Sequence, residues 1–86
     1  MSKKNIYVIY GNKSVEHEVS IVSAKTIINN LDREKYDIYP VFIDKEGKWI
    51  PLDKIEKQIE DVAELTATTD LSISKSLAEF LNTYIN

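Results

Sequence analysis

The pattern of apolar and polar positions predicts a strand followed by a helix at the start of the chain. Residues 5–10, NIYVIY, are almost all β-branched or aromatic and end at Gly11. They are apolar on both faces, as in a central parallel strand that is covered on both sides. From residue 16 to residue 31 the apolar period becomes helical. The predicted stripe comprises Ser20, Ala24, Ile27, Ile28 and Leu31, and Ser14 is the predicted N-cap.

A second strand, residues 36–44, follows this helix and completes a βαβ unit with parallel strands. Pro40 lies within it and cannot donate to a ladder, so the strand should be free on at least one side near the proline. Residues 44–49 predict a tight turn around Gly47, after which KWIPL forms a short return segment.

The last third of the chain predicts two more helices with a loop or short strand at residues 66–74. The first helix, residues 52–65, places Ile55, Ile59 and either Val62 or Ala63 at helical spacing, with Asp53 as its cap. The second, residues 74–86, places Leu77, Phe80, Leu81 and Tyr84 on one face. The predicted fold class is therefore α/β, an incomplete Rossmann-like βαβ unit with C-terminal helices. Its incompleteness suggests a piece of a longer protein.

Composition and charge exclude several classes of protein and of binding site. The 86 residues carry a formal net charge of −3 with basic and acidic residues intermixed, so nucleic acid is not an expected partner. The chain contains no cysteine, which excludes disulfides and thiolate metal sites. No apolar run approaches the roughly 20 residues of a membrane span. We expect a soluble, cytoplasmic protein without a membrane partner.

Candidate chemistry is concentrated in VIYGNKSVEHEVS, residues 8–20, where the first strand meets the helix. A phosphate loop needs glycine directly before its lysine, but Asn12 stands there. Glu16, His17 and Glu18 are consecutive, and neighbours on a helix point about 100° apart, so they cannot converge on one metal ion. Neither a nucleotide loop nor a metal site is predicted.

Two interpretations of the Glu16 and Glu18 carboxylates remain open on physical grounds. Ligands of open α/β sheets bind outside the carboxyl ends of the strands, where Glu16 can meet a cationic group such as an ammonium. Acidic residues in the first turn of a helix also stabilise it through the helix dipole, by about 0.3–1 kcal/mol. This second effect alone accounts for Glu16 and Glu18. A lone histidine at a helix start, His17, is expected to be solvated or locally hydrogen-bonded.

The segment YGNKSVEHEVSIVSAKTIINNLDREKYDIYPVFIDKEGKW closely resembles the N-terminal signature of D-alanine–D-alanine ligases. That signature runs G-G-x-S-x-E-x-E-V-S, a helix, LD-x-x-KY, a strand and ID-x-x-G-x-W. The resemblance covers residues 5–50 strongly and residues 51–86 only in layout. The second glycine of the family is Asn12 here. Because asparagine tolerates positive φ, the turn can survive this change.

The resemblance implies an ATP-grasp enzyme that joins two D-alanines for peptidoglycan, using ATP and magnesium through an acyl phosphate. It implies that the first, Rossmann-like (pre-ATP-grasp) domain helps to hold the first D-alanine. By matching position, Glu16 is the substrate-positioning residue near the ammonium, Val19 lies beside the methyl group and Ser20 completes the substrate-binding set. Glu18 stays a dipole partner and His17 a solvated ring. The resemblance implies that the residues binding ATP and magnesium lie outside this chain.

We therefore expect residues 1–86 to be part of the N-terminal substrate-binding domain of such a ligase, inactive without the central and ATP-grasp domains. The implied partners are D-alanine, the remaining domains and a second copy of the parent enzyme in a homodimer. The related D-Ala–D-Ser and depsipeptide ligases are not separable from it. One alternative is a stand-alone, flavodoxin-like binding or regulatory module. Another is a structural piece whose helix stripe at 20–31 contacts a partner.

Overall fold

A computed structural model describes residues 3–12 and 16–84, without the side chain of Tyr84. The elements in chain order are β1 (Lys4–Gly11), α1 (His17–Asn30), β2 (Tyr36–Ile43), β3 (Trp49–Pro51), a short 3-10 helix (Val62–Leu65) and α2 (Ile73–Tyr84). This order confirms the predicted βαβ unit, the return segment and the last helix. Ser14, the predicted N-cap of α1, lies outside the described residues. Glu16 occupies the N-cap position without a capping bond from its side chain.

The three strands form one sheet in the order β1-β2-β3. β1 and β2 are parallel over their whole length, from the Lys4–Tyr36 pair to the Gly11–Ile43 pair. β3 runs antiparallel to β2, and its pairing ends at Val41. The ladder on this side therefore stops next to Pro40, where the missing N–H of the proline would have left a gap. The Pro40 carbonyl oxygen still accepts a hydrogen bond from the Leu52 N–H at 2.9 Å.

α1 packs on the sheet through a face that differs in part from the predicted stripe. His17, Ile21, Ala24 and Ile28 are its buried residues. Ile28 is fully buried, whereas Ile27 is 52% exposed, so the prediction that Ile27 faces the core is wrong. Apolar residues at two adjacent positions fit two helix orientations equally well. Contact with the sheet, including Ile38 and Phe42 in the same core cluster, selects one of them.

The prediction of a helix over residues 52–65 is wrong. Residues 52–61, here called the strap, contain no helix, and a 3-10 helix begins only at Val62. The backbone of the strap is hydrogen-bonded to β2 instead: the Ile55 N–H donates to the Ile38 carbonyl at 2.9 Å. Asp61 rather than Asp53 is the cap, and its side chain accepts from the Ala63 N–H. Hydrogen bonds to β2 and burial of Ile59 outweigh a helical spacing that carries only weak intrinsic preference.

One side chain of α1 fixes the strap. The Asn29 amide donates to the Ile59 carbonyl at 2.9 Å and accepts from the Ile59 N–H at 2.8 Å. Both backbone groups of a buried residue therefore depend on one amide, which can supply a donor and an acceptor together.

Replacing Asn29 by alanine is expected to lower the free energy of unfolding by about 2 kcal/mol, because two partly buried backbone groups lose their partner. Urea unfolding followed by circular dichroism measures this loss. Asn30→Ala is the matched control, because the Asn30 amide donates to the Thr26 carbonyl in an exposed bond, and its loss should cost less than about 0.5 kcal/mol. Equal losses in the two variants would contradict the role of Asn29.

α2 is confirmed, but its buried face was only partly predicted. Phe80 is buried as expected and packs on Trp49, with ring centroids 5.2 Å apart. Leu77 is half-buried and Leu81 is exposed. The most buried position is Ser76, whose hydroxyl accepts from the Trp49 N–H at 3.0 Å. The Ser76 side chain is buried because its hydroxyl accepts a hydrogen bond from β3. A search for apolar periodicity does not detect a buried polar residue of this kind. The Tyr84 side chain lies outside the described part of the chain.

Candidate functional site

The carboxyl end of β1 leaves the sheet through two residues with positive φ. Gly11 has φ +99° and Asn12 has φ +88°. The Asn12 N–H donates to the Ile43 carbonyl at 2.8 Å, and a Cβ at Gly11 would collide with that same oxygen. Only glycine fits at position 11, whereas asparagine is among the residues that tolerate this region at position 12. The expectation that the turn survives Asn12 is confirmed.

Two side chains of α1 bond to this turn. The Ser20 Oγ accepts from the Gly11 N–H at 2.9 Å. The His17 Nδ1 lies 2.6 Å from the Asn12 carbonyl oxygen. Because a carbonyl oxygen only accepts, Nδ1 carries the proton of this bond.

His17 is 5% exposed and meets the Phe42 ring edge-on, with centroids 5.4 Å apart. The expectation of a solvated ring is wrong, and the alternative of a locally hydrogen-bonded histidine is correct. The spacing of His17, Ile21, Ala24 and Ile28 is compatible with a histidine on the core face of the helix. The spacing alone does not select this face, because the predicted stripe from Ser20 to Leu31 fits the same helical period.

Glu16 and Val19 lie on the outer side of the first turn of α1. Glu16 is exposed, and its backbone carbonyl accepts from the Ser20 N–H at 2.9 Å. Val19 is 63% exposed, which leaves its methyl groups accessible to a ligand. The structure thus separates the three predicted site residues: Glu16 and Val19 are presented at the surface, whereas the Ser20 hydroxyl is directed at the turn.

Glu18 occupies the first turn as expected and lies 3.5 Å from the Lys45 ammonium. Both side chains of this pair are more than two-thirds exposed, so the pair contributes at most about 1 kcal/mol. Its position fits the interpretation of Glu18 as a partner of the helix dipole.

An open cavity of about 390 Å³ lies at the carboxyl end of β2. Its lining includes His17, Phe42, Asp44, Lys45, Thr66 and Thr68. The contribution of the loop before α2 was not predicted, because nothing in a Thr-rich stretch indicates where it folds back. A larger cavity of about 570 Å³ lies along the strap and is lined by none of the predicted site residues.

The turn after β2 is rigidly built around one carboxylate. The Asp44 Oδ1 accepts from the N–H groups of Glu46 and Lys48, both at 2.9 Å. The Lys48 ammonium reaches the Thr69 carbonyl at 3.5 Å. The Lys48 bond ties the β2–β3 turn to the loop before α2, and both segments contribute residues to the lining of the cavity.

Tyr10 supports the site from within the core. Its hydroxyl donates to the Leu65 carbonyl at 2.7 Å, and burial raises the pKa of Tyr10 well above its usual range. The phenol stays neutral and fixes the 3-10 helix to β1, so it is a structural group rather than an acid or base.

Within residues 3–12 and 16–84, no group of three histidine, cysteine or acidic side chains could hold a metal ion. A helix long and apolar enough to cross a membrane is also lacking in this part of the chain.

Comparison with known proteins supplies the family. The family model described as the D-ala D-ala ligase N-terminus matches residues 5–83. A D-alanine–D-alanine ligase of Finegoldia magna is 48% identical over 77 residues, which are 90% of this chain and 22% of that ligase. The chain thus spans about a fifth of the length of this relative.

Two solved structures share the fold. The D-alanine-D-alanine ligase of Coxiella burnetii matches with a TM-score of 0.60 and 49% identity, over 62% of this chain and 15% of that one. The VanG D-Ala:D-Ser ligase of Enterococcus faecalis matches with a TM-score of 0.55 and 42% identity, over 56% of this chain and 14% of that one. A match over nearly the whole sequence, on a parallel βαβ unit with the expected turn, shows that this chain belongs to the family of D-alanine–D-alanine ligase N-terminal domains.

Proposed function

We propose that this chain forms part of the substrate-binding N-terminal domain of an ATP- and magnesium-dependent enzyme that joins two D-alanines for peptidoglycan in the cytoplasm. The observation that carries the proposal is the match of residues 5–83 to the family model. The remaining domains of the same enzyme are its partners in the reaction. The homodimer implied by the resemblance stays a prediction.

The chemistry assigned to this chain is binding and orientation. Glu16 lies exposed at the N-cap of α1, where its carboxylate can accept hydrogen bonds from the ammonium of the first D-alanine. A charge-assisted bond of this kind is about twice as strong as a neutral one. Val19 supplies an apolar surface for the methyl group, and Ser20 completes the substrate-binding set through its contact with the turn.

In the complete ligase, bound ATP would supply the phosphoryl group that activates the carboxylate of the first D-alanine. The residues of this chain do not fit ATP, because the strand-to-helix turn lacks the glycine pattern of a phosphate loop. The described residues also offer no cluster for magnesium. Following the resemblance, we assign ATP and magnesium to the other domains of the ligase. The role of Glu16 is then to hold the substrate in place for attack.

The test is D-alanine-dependent phosphate release from ATP by the complete ligase that carries this sequence at its N-terminus. Glu16→Gln keeps the size of the side chain and removes its charge. It should raise KM for the first D-alanine about 10- to 100-fold, the effect of losing a hydrogen bond to a charged group, with a smaller change in kcat.

Glu18→Gln is the matched control, because Glu18 is an exposed acid in the same helical turn and pairs with Lys45. It should behave like the wild type. Equal changes of KM in the two variants would show that Glu16 acts only as a partner of the helix dipole and does not bind the substrate. Wild-type enzyme without D-alanine-dependent phosphate release would refute the ligase proposal and favour a flavodoxin-like module.

The proposal takes D-alanine as the second substrate, and D-serine and D-lactate are the alternatives. A solved D-Ala:D-Ser ligase matches this chain at an identity similar to that of a solved D-alanine–D-alanine ligase, and the resemblance does not separate the depsipeptide ligases. The same assay with D-alanine, D-serine and D-lactate supplied together, followed by identification of the product, decides between them.

A further inference from the structure

We infer that His17 and Ser20 are positioning residues: together they clamp the Gly11–Asn12 turn to the start of α1 and thereby set the place of Glu16. This inference rests on the proposed function, since Glu16 is the residue proposed to meet the ammonium of D-alanine. It assigns to both residues a role that acts through the backbone rather than through contact with the substrate.

The turn needs such a clamp because its conformation is strained. Two consecutive residues have positive φ, and one of them is not glycine. Conformations of this kind persist where surrounding contacts over-determine them. Three hydrogen bonds do so here. The Asn12 N–H donates to the Ile43 carbonyl on the sheet, the Gly11 N–H donates to the Ser20 hydroxyl, and the His17 ring donates to the Asn12 carbonyl.

The same two residues also fix the backbone of Glu16. The Ser20 N–H donates to the Glu16 carbonyl at 2.9 Å, while the Ser20 hydroxyl accepts from Gly11. His17 is the next residue in the chain and is tied to Asn12. Glu16 is therefore connected to the end of β1 through both of its helical neighbours, and movement of the turn moves Glu16.

The setting of His17 excludes a large adjustment of the ring. It is buried, it contacts the Phe42 ring, and its Cε1 would lie 3.3 Å from a Cβ placed on Gly11. A ring held on these sides directs its Nδ1–H at one acceptor. Removing that donor leaves the Asn12 carbonyl without this partner.

The first test compares His17→Asn with His17→Phe in the complete ligase. An asparagine amide nitrogen is as many bonds from Cα as Nδ1 and can donate to Asn12, whereas phenylalanine keeps the ring and its packing but has no donor. The clamp predicts near wild-type KM for the first D-alanine in His17→Asn and an increase of about tenfold in His17→Phe, the loss of one hydrogen bond. A purely structural role for the ring predicts the reverse order.

The second test measures hydrogen exchange of the Gly11 amide in the same enzyme. Ser20→Ala should accelerate this exchange and raise KM for D-alanine, and Ser20→Thr, which keeps the hydroxyl, should restore both. Unchanged Gly11 exchange in Ser20→Ala, or wild-type KM in His17→Phe, overturns the clamp while Glu16→Gln still reports on the proposed function. A wild type that needs no D-alanine overturns both.

Discussion

Replacement of Gly11 by alanine is expected to lower the free energy of unfolding by about 4 kcal/mol, the largest loss among the single substitutions considered. The cost has two sources. A side chain at φ +99° is strained in any surroundings, and its Cβ would collide with the Ile43 carbonyl oxygen. That oxygen belongs to β2 and accepts the Asn12 N–H, so it cannot retreat without breaking the turn.

A chain of this length is stable by only about 4–13 kcal/mol, so Gly11→Ala should remove between about a third and all of its stability. Urea unfolding followed by Trp49 fluorescence and circular dichroism measures the loss. Gly47→Ala is the control, because Gly47 also has positive φ, at +92°, but lies partly exposed in the β2–β3 turn. It should lose only about 1 kcal/mol from the strain. A loss at Gly11 no larger than at Gly47 would show that β2 can move away.

Replacement of Ile28 by alanine is expected to cost about 3–4 kcal/mol, because it removes a fully buried side chain and leaves a cavity in a small core. Ile28 is 0% exposed and packs in one cluster with Ile38 and Phe42. A domain near this size buries only about 60% of the surface that its unfolded chain exposes, so its core is small and little remains to compensate for the loss.

Ile27→Ala is a stringent control, since the two residues are adjacent, identical in type and in the same helix. Ile27 is 52% exposed, and alanine is the better helix former, so its replacement should change stability by less than about 0.5 kcal/mol. The same urea titration serves for both variants. Similar losses at the two positions would mean that α1 packs in a different orientation.

Part of the candidate site was accessible from the sequence and part was not. The turn residues Gly11 and Asn12 and the acids of the first helical turn follow from the order of residues between a strand and a helix. The order of residues does not determine that His17 is buried or that the Ser20 hydroxyl is directed at the turn. Both depend on how α1 is rotated against the sheet, because a polar side chain near a helix start fits either the solvent or a partner on a neighbouring element.

The strap shows the same limit on a larger scale. Ile55, Ile59 and Val62 have the spacing of a helical face, yet residues 52–61 form no helix. The first two of these residues are held by backbone bonds to Ile38 and to the Asn29 side chain. Such bonds join positions that are 17 and 30 residues apart in the chain, and no local pattern contains them.

The sequence by itself determined the elements whose signal is local: two β-rich segments, of which the first ends at Gly11, one long helix between them, and a turn around Gly47. It also determined the family, because the spacing of its motif residues is specific. Only the tertiary structure decided which face of α1 is buried, that residues 52–61 form a strap, and that Ser76, His17 and Asn29 are needed for hydrogen bonds. The physical reason is that burial and backbone pairing are set by contacts between distant segments, and these contacts outweigh local preferences of a few tenths of a kcal/mol per residue, about the size of helix propensities.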